Sequence, residues 1–145
     1  MAVNKILTES KMTSYFHEPA GTTAEDVAYV SQRDFDGLAV GYLRCVTAGS
    51  LTALSIIVSD DASGTTTAVV KSHALGSNPD AVGDQIYLEA SNEEILAAAE
   101  AAGISGVELY VSAQVTEAVA TQDSAIIYCQ PGLFKKDALT VDVVA

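Results

Sequence analysis

The sequence predicts a mainly β chain: an antiparallel β-sandwich or β-barrel-like domain with one short α-helix at about 91–103 and extended N- and C-terminal arms. Three observations carry that expectation. Val107, Leu109, Val111, Ala113 and Val115 alternate with polar neighbours at the period of a half-buried strand. Several other apolar segments, each rich in β-branched residues, are closed by Gly, Pro, Asp or Ser clusters. Ser91–Gly103, SNEEILAAAEAAG, is the one stretch with a helical start, body and stop together.

Taken in order, residues 1–23 show no sustained period and include His17, Pro19 and Gly21, so they are expected to form an extended arm. Ile6, Leu7, Tyr15 and Phe16 give this arm apolar content that a solvated tail lacks, which makes them candidate interface residues. The compact domain is expected over 24–130, beginning with a short strand in Ala24–Val30. LAVGYLRCV, from Leu38 to Val46, is β-rich, and Gly41 inside it signals a bulge or the close approach of another backbone. Leu51–Ser59 is apolar on both faces, as a central strand is.

Asp60–Gly64 is a hairpin turn with Gly64 at a positive φ. The return strand, Thr65–Ala74, points Ala68 and Val70 inward and Val69, Lys71 and His73 outward. Gly76–Asp80 collects residues that break regular structure and forms a loop, and Gln85–Ala90 is a short strand that leads into the helix.

In the helix, Ser91 and Glu94 make a capping box, and Glu93 adds a second acid at the positive end of the dipole. Ile95, Leu96, Ala99 and Ala102 form the apolar stripe, and Gly103 supplies a left-handed stop with Ile104 folding back. About three turns of helix cannot stand alone in water, so it must dock. Ser124–Gln130 is apolar on both faces and belongs inside a sheet. Residues 131–145 form a C-terminal arm or strand, with Leu133, Phe134, Leu139, Val141 and Val143 as further candidate interface residues.

With 145 residues the chain can bury one core without staples. Seven basic against nineteen acidic residues leave a net charge of −12, which repels phosphate backbones and argues against a nucleic-acid partner. No apolar run approaches the roughly 20 residues of a membrane span, and no secretory signal is expected. Cys45 and Cys129 lack paired-cysteine spacing and are expected to be buried free thiols, with a disulfide between neighbouring strands as the alternative.

The residues offer no catalytic, cofactor-binding or metal-binding constellation. Asp60 and Asp61 lack the alternating acids and distal glutamate of a calcium loop, and His17 and His73 have no third ligand. No serine lies in a nucleophile elbow, and the glycines do not form a phosphate loop. An enzyme is therefore not expected. Tyr42, Tyr87, Tyr110 and Tyr128 leave open a small-ligand or glycan-binding module if they line one concave sheet.

TALSIIVSDDASGTTTAVVKSH, followed by the stretch from GDQIYLEA to SAIIYCQ, resembles the small acidic virion proteins of tailed bacteriophages in its order of Ala-, Thr- and Val-rich strands around one short helix. The resemblance implies a non-enzymatic decoration or cement protein on the virion's capsid surface, made in the host cytoplasm. It further implies the major capsid protein as partner and assembly into a dimer or trimer. A tail-tube or head-completion protein is the alternative within the same class.

Overall fold

The computed structural model describes residues 10–74, 80–106 and 108–132. Two antiparallel sheets face each other and do not close into a barrel. The first sheet runs β1 (Ser10–His17), β9 (Ser124–Pro131), β4 (Gly37–Arg44), β7 (Gln85–Ser91). The second runs β2 (Glu25–Asp26), β8 (Tyr110–Glu117), β5 (Leu51–Ser59), β6 (Thr67–Ala74), with β3 (Val30–Ser31) also on β8. The single strand expected in Ala24–Val30 is thus two short rungs along one edge.

Part of the N-terminal arm is built into the body: Ser10–His17 pairs along its whole length with Ser124–Pro131. That pairing, together with β4 on the other side, makes β9 the interior strand its composition predicts. β5 lies between β6 and β8 as a central strand. The core fills the space between the sheets, with Leu38 and Val40 from β4, Leu54, Ile56 and Val58 from β5, Val111, Ala113 and Val115 from β8, and Ile126 and Tyr128 from β9.

The helix, α1 (Asn92–Ala101), has the start and stop that its sequence specifies. Glu94 N–H donates to Ser91 Oγ at 3.2 Å, and Ser91 N–H donates to Glu94 Oε2 at 2.8 Å. At the other end Gly103 has φ +70°, its N–H reaches Glu100 O, and Ile104 N–H reaches Ala99 O, which is a Schellman stop. Ser91→Ala is expected to cost about 1 kcal/mol of stability, the usual loss for an N-cap, measurable by urea denaturation.

The docked stripe is narrower than expected. Ile95 and Ala99 are buried, whereas Leu96 is 50% exposed and Ala102 is exposed. The helix packs chiefly on β6, with smaller contacts to β4, β5 and β7, and so covers one end of the sandwich.

A β-bulge corrects the expected facing of β6. Ile57 pairs with Val69 but Ile56 pairs with Lys71, so one residue is skipped and the alternation reverses. Lys71 and His73 therefore share a face with Ile56 and Leu54 instead of following Val69 outward. Lys71 Nζ reaches Glu94 Oε1 on the helix at 3.2 Å, and His73 is exposed at the sheet edge.

Turn chemistry accounts for several acids. Asp61 Oδ1 accepts from Ser63 N–H at 2.7 Å and from Thr65 N–H at 3.2 Å, and Gly64 takes φ +70°. An added Cβ at Gly64 would also collide with the Tyr29 ring. Hydrogen bonds from Thr65 and Ser63 hold the Asp61 carboxyl below its ordinary value. Those from the Ala81 and Asp80 amides do so for Asp84, and the Ser91 amide, then Lys71, for Glu94.

A carboxyl whose folded pKa is depressed contributes stability above its unfolded value, near 4, and loses that contribution as pH falls through the folded value. Thermal melting temperature is accordingly expected to decline below about pH 4. Asp61→Asn should flatten part of that decline.

Candidate functional site

The two outer faces of the sandwich differ in chemistry, and the difference follows from register. In the first sheet, Tyr15, Ile126, Val40 and Leu88 point inward with their neighbours in the ladder, so Met12, Ser14 and Phe16, Ala125, Ile127 and Cys129, Ala39, Gly41 and Leu43, and Gln85, Tyr87 and Glu89 share the outer face. Phe16 is 61% exposed, Met12 56%, Tyr87 72% and Ile127 38%. Among these residues Glu89, on the β7 edge, is the single charge.

Gly41 has a specific part in this surface. A Cβ there would lie 3.0 Å from Tyr87 Cε1 and 3.8 Å from Ile127 Cβ. The glycine thus lets the Tyr87 ring lie flat across β4 and extend the apolar area. The sequence leaves a bulge or the close approach of a backbone at Gly41; the register runs through it without a shift, and it is an aromatic side chain that approaches.

The outer face of the second sheet is more polar, and apart from the Ile57–Val69 pair its side chains largely bond to one another. Ser55 and Ser72 hydroxyls pair at 2.8 Å across β5 and β6, and Gln114 Nε2 donates to Asp26 at 2.9 Å. Ser112 Oγ accepts from Ala28 N–H at 3.2 Å. Among the described residues the second face exposes one large apolar side chain, Val69 at 55%, whereas the first exposes four that adjoin one another.

The candidate interface residues fall in three places. Phe16 lies on the apolar outer face. Tyr15, its neighbour, turns inward and packs on Tyr128 with ring centroids 4.9 Å apart. Ile6, Leu7, Leu133, Phe134, Leu139, Val141 and Val143 lie outside the described residues.

The four tyrosines that a ligand-binding module would need on one concave surface do not share one. Tyr42 and Tyr128 are buried between the sheets, Tyr87 is on the outer face of the first sheet, and Tyr110 is half-buried on the second. Cys45 and Cys129 are free but half-buried, a less enclosed setting than expected. His17 is buried with Nε2 4.0 Å from Glu25 Oε2. Among the described residues no three His, Cys, Asp or Glu side chains gather as a metal site.

Inside the sandwich lies a polar cluster that the sequence reading missed. Arg44, on β4, is fully buried and its Nη2 meets Glu117 Oε2, on β8, at 2.9 Å. Tyr42 donates to Glu117 Oε1 at 2.7 Å, and the guanidinium also reaches Gln122 O at 3.3 Å and Gly49 O at 3.0 Å. Gln122 Oε1 in turn accepts from the Ala118 and Val119 amides. Burial, then the hydrogen bond to Glu117, pushes the Tyr42 phenol above its ordinary value, so it stays a donor. A signal existed: Glu117 continues the inward series Val111, Ala113, Val115, and a carboxylate at a core position requires a cation.

A second concavity, an open groove of about 700 Å³, lies beside the helix C-terminus. Leu96, Ala99 and Glu100 of the helix line it together with Gln32 and Arg33, and Ile104, Glu108 and Leu109 complete the lining.

No protein family matches the sequence, and no curated protein does. Among solved structures the chain is similar to a chain of Bacillus endospore appendages, a family of disulfide-linked pili, at 13% identity and TM-score 0.45, covering 86% of this chain and 88% of that one. It is also similar to the SPBc2 prophage-derived protein YomS, at 12% identity and TM-score 0.42, covering 83% and 93%. A third likeness is to VP2 of infectious bursal disease virus in its subviral particle, at 10% identity and TM-score 0.38, covering 85% of this chain and 33% of that one.

Proposed function

We propose that this chain is a non-enzymatic structural protein of a bacteriophage virion, a decoration or cement protein that docks on the outer surface of the capsid and stabilises it through repeated contacts. The observation that carries the reading is the outer face of the β1–β9–β4–β7 sheet, almost free of charge in a chain of net charge −12. Contiguous exposed apolar area on an otherwise highly charged protein marks a surface that is covered when the protein works.

The size of the face fits a lattice better than a solitary complex. Ordinary strand spacing and rise give it roughly 500 Å², below the roughly 800 Å² per partner of a stable stand-alone interface. One such contact is weak, but a shell repeats it, and a dimer or trimer of the chain bound to adjacent major capsid proteins gains by avidity. The acidic surface elsewhere keeps the unassembled protein soluble and disfavours nucleic acid.

The test is co-sedimentation of the purified chain with capsids assembled from the shell protein encoded nearest to it, followed by electron microscopy. Saturation at a fixed number of copies per capsomer, with density on the outer surface, is expected. Absence of capsid binding, or closed rings found only on tails or at the portal vertex, overturns the decoration role.

A further inference from the structure

The groove beside the helix C-terminus has a chemistry that selects its occupant. Its floor is apolar: Leu96 is half exposed there, next to buried Ala99 and Ile104. Its lining also carries two acids, exposed Glu100 and Glu108, the latter already accepting from Ser31 and Tyr110, and the last turn of the helix carries no basic residue to offset the negative pole of the dipole. Arg33 is the only cation among the described lining residues. A matching ligand is a short segment in which bulky apolar side chains are followed by lysines.

The chain contains such a segment, Leu133-Phe134-Lys135-Lys136, which holds two of its seven basic residues. The described chain also ends beside the groove. Gly132 forms an antiparallel bridge with Phe35, and a Cβ added to it would sit 3.1 Å from Asp34 O. Asp34 directly follows Arg33 in the groove wall. Four residues span up to roughly 13 Å when extended, so this segment starts next to the groove with the effective concentration of a short tether.

We infer that the groove is the docking site of the Leu133–Lys136 segment of the same chain, with Leu133 and Phe134 as apolar anchors and the lysines meeting Glu100, Glu108 and the helix C-terminus. The inference does not rest on the proposed capsid role and stands or falls separately from it. It assigns the first residues of the C-terminal arm to the chain's own body and leaves residues 137–145 for contacts elsewhere.

The experiment is nuclear Overhauser spectroscopy on the full chain, reading contacts of the Phe134 ring with the Leu96 methyls. Contacts within one molecule are expected. They should be lost or strongly weakened in K135E/K136E and regained when Glu100→Lys is added to that variant. Glu100 is exposed, and a lysine in the last helical turn suits the dipole, so this substitution leaves the fold intact. Three results overturn the inference: no Phe134–Leu96 contact, contacts of Phe134 with the Met12 and Ile127 face instead, or contacts that appear only between differently labelled copies in a mixed sample.

Discussion

Arg44→Met is expected to lower the stability of the protein by about 3–5 kcal/mol, the largest effect of any single substitution among the described polar residues. The reason is the group left behind. Among the described residues Arg44 is the only cation within reach of Glu117, and both side chains are fully buried between the sheets. Removing the guanidinium leaves a carboxylate without its counter-charge, and it also frees the Gln122 and Gly49 carbonyls that the same group satisfies.

A domain of ordinary stability holds about 5–15 kcal/mol, so the variant should unfold at markedly lower urea concentration and melt lower by about 10–16 °C. Glu117→Leu added to Arg44→Met should recover part of the loss, because a buried pair replaced as a unit by apolar groups is often neutral. Recovery should stop short of complete, since Tyr42 and the two carbonyls still lack their partners. If Arg44→Met unfolds within about 1 kcal/mol of the parent, the pair is hydrated and the cluster is not the buried tie between sheets described above.

How far the fold was legible from sequence depended on whether the governing interactions were local. The capping box at Ser91 and Glu94, the Gly103 stop and the positive φ of Gly64 are set by residues within a few positions of one another. All were readable in advance, as was the inward series of β8. Register was not. Nothing local to Thr67–Ala74 announces the skip between Ile56 and Ile57 that re-aims Lys71 towards the helix, because the bulge is a property of the pair of strands.

The same limit applies to Ser10–His17. Without a visible partner it reads as an arm, and only its pairing with Ser124–Pro131 makes it a strand. The apolar face was illegible for a related reason: Met12, Ile127, Gly41 and Tyr87 come from four strands far apart in sequence, and each looks unremarkable alone. Phe16 was singled out from its neighbourhood, and Tyr15 beside it faces the opposite way because strand residues alternate. Arg44 and Glu117 are distant in sequence too, but here a rule could have found them, since a charge at a core-phase position needs a partner.

The second large effect concerns binding and not stability. Phe16→Glu combined with Ile127→Glu is expected to reduce capsid association by at least about 100-fold. Each large apolar side chain covered at an interface contributes about 1.5–3 kcal/mol, and a carboxylate forced under the partner adds a desolvation cost. Together these exceed the roughly 3 kcal/mol that a 100-fold change represents.

Stability should change little, because both side chains point away from the core and surface substitutions usually act within about 0.5 kcal/mol. Val69→Glu is the matching control: Val69 is 55% exposed, but it belongs to the second sheet, so binding should persist. Co-sedimentation with capsids and thermal melting, run on all three proteins, separate the outcomes. Binding retained by the double variant, or lost equally in Val69→Glu, would move the docking surface away from the β1–β9–β4–β7 face. If the double variant instead changes the mass of the free protein in solution while capsid binding stays intact, the face joins copies of the chain to each other and a different surface meets the shell.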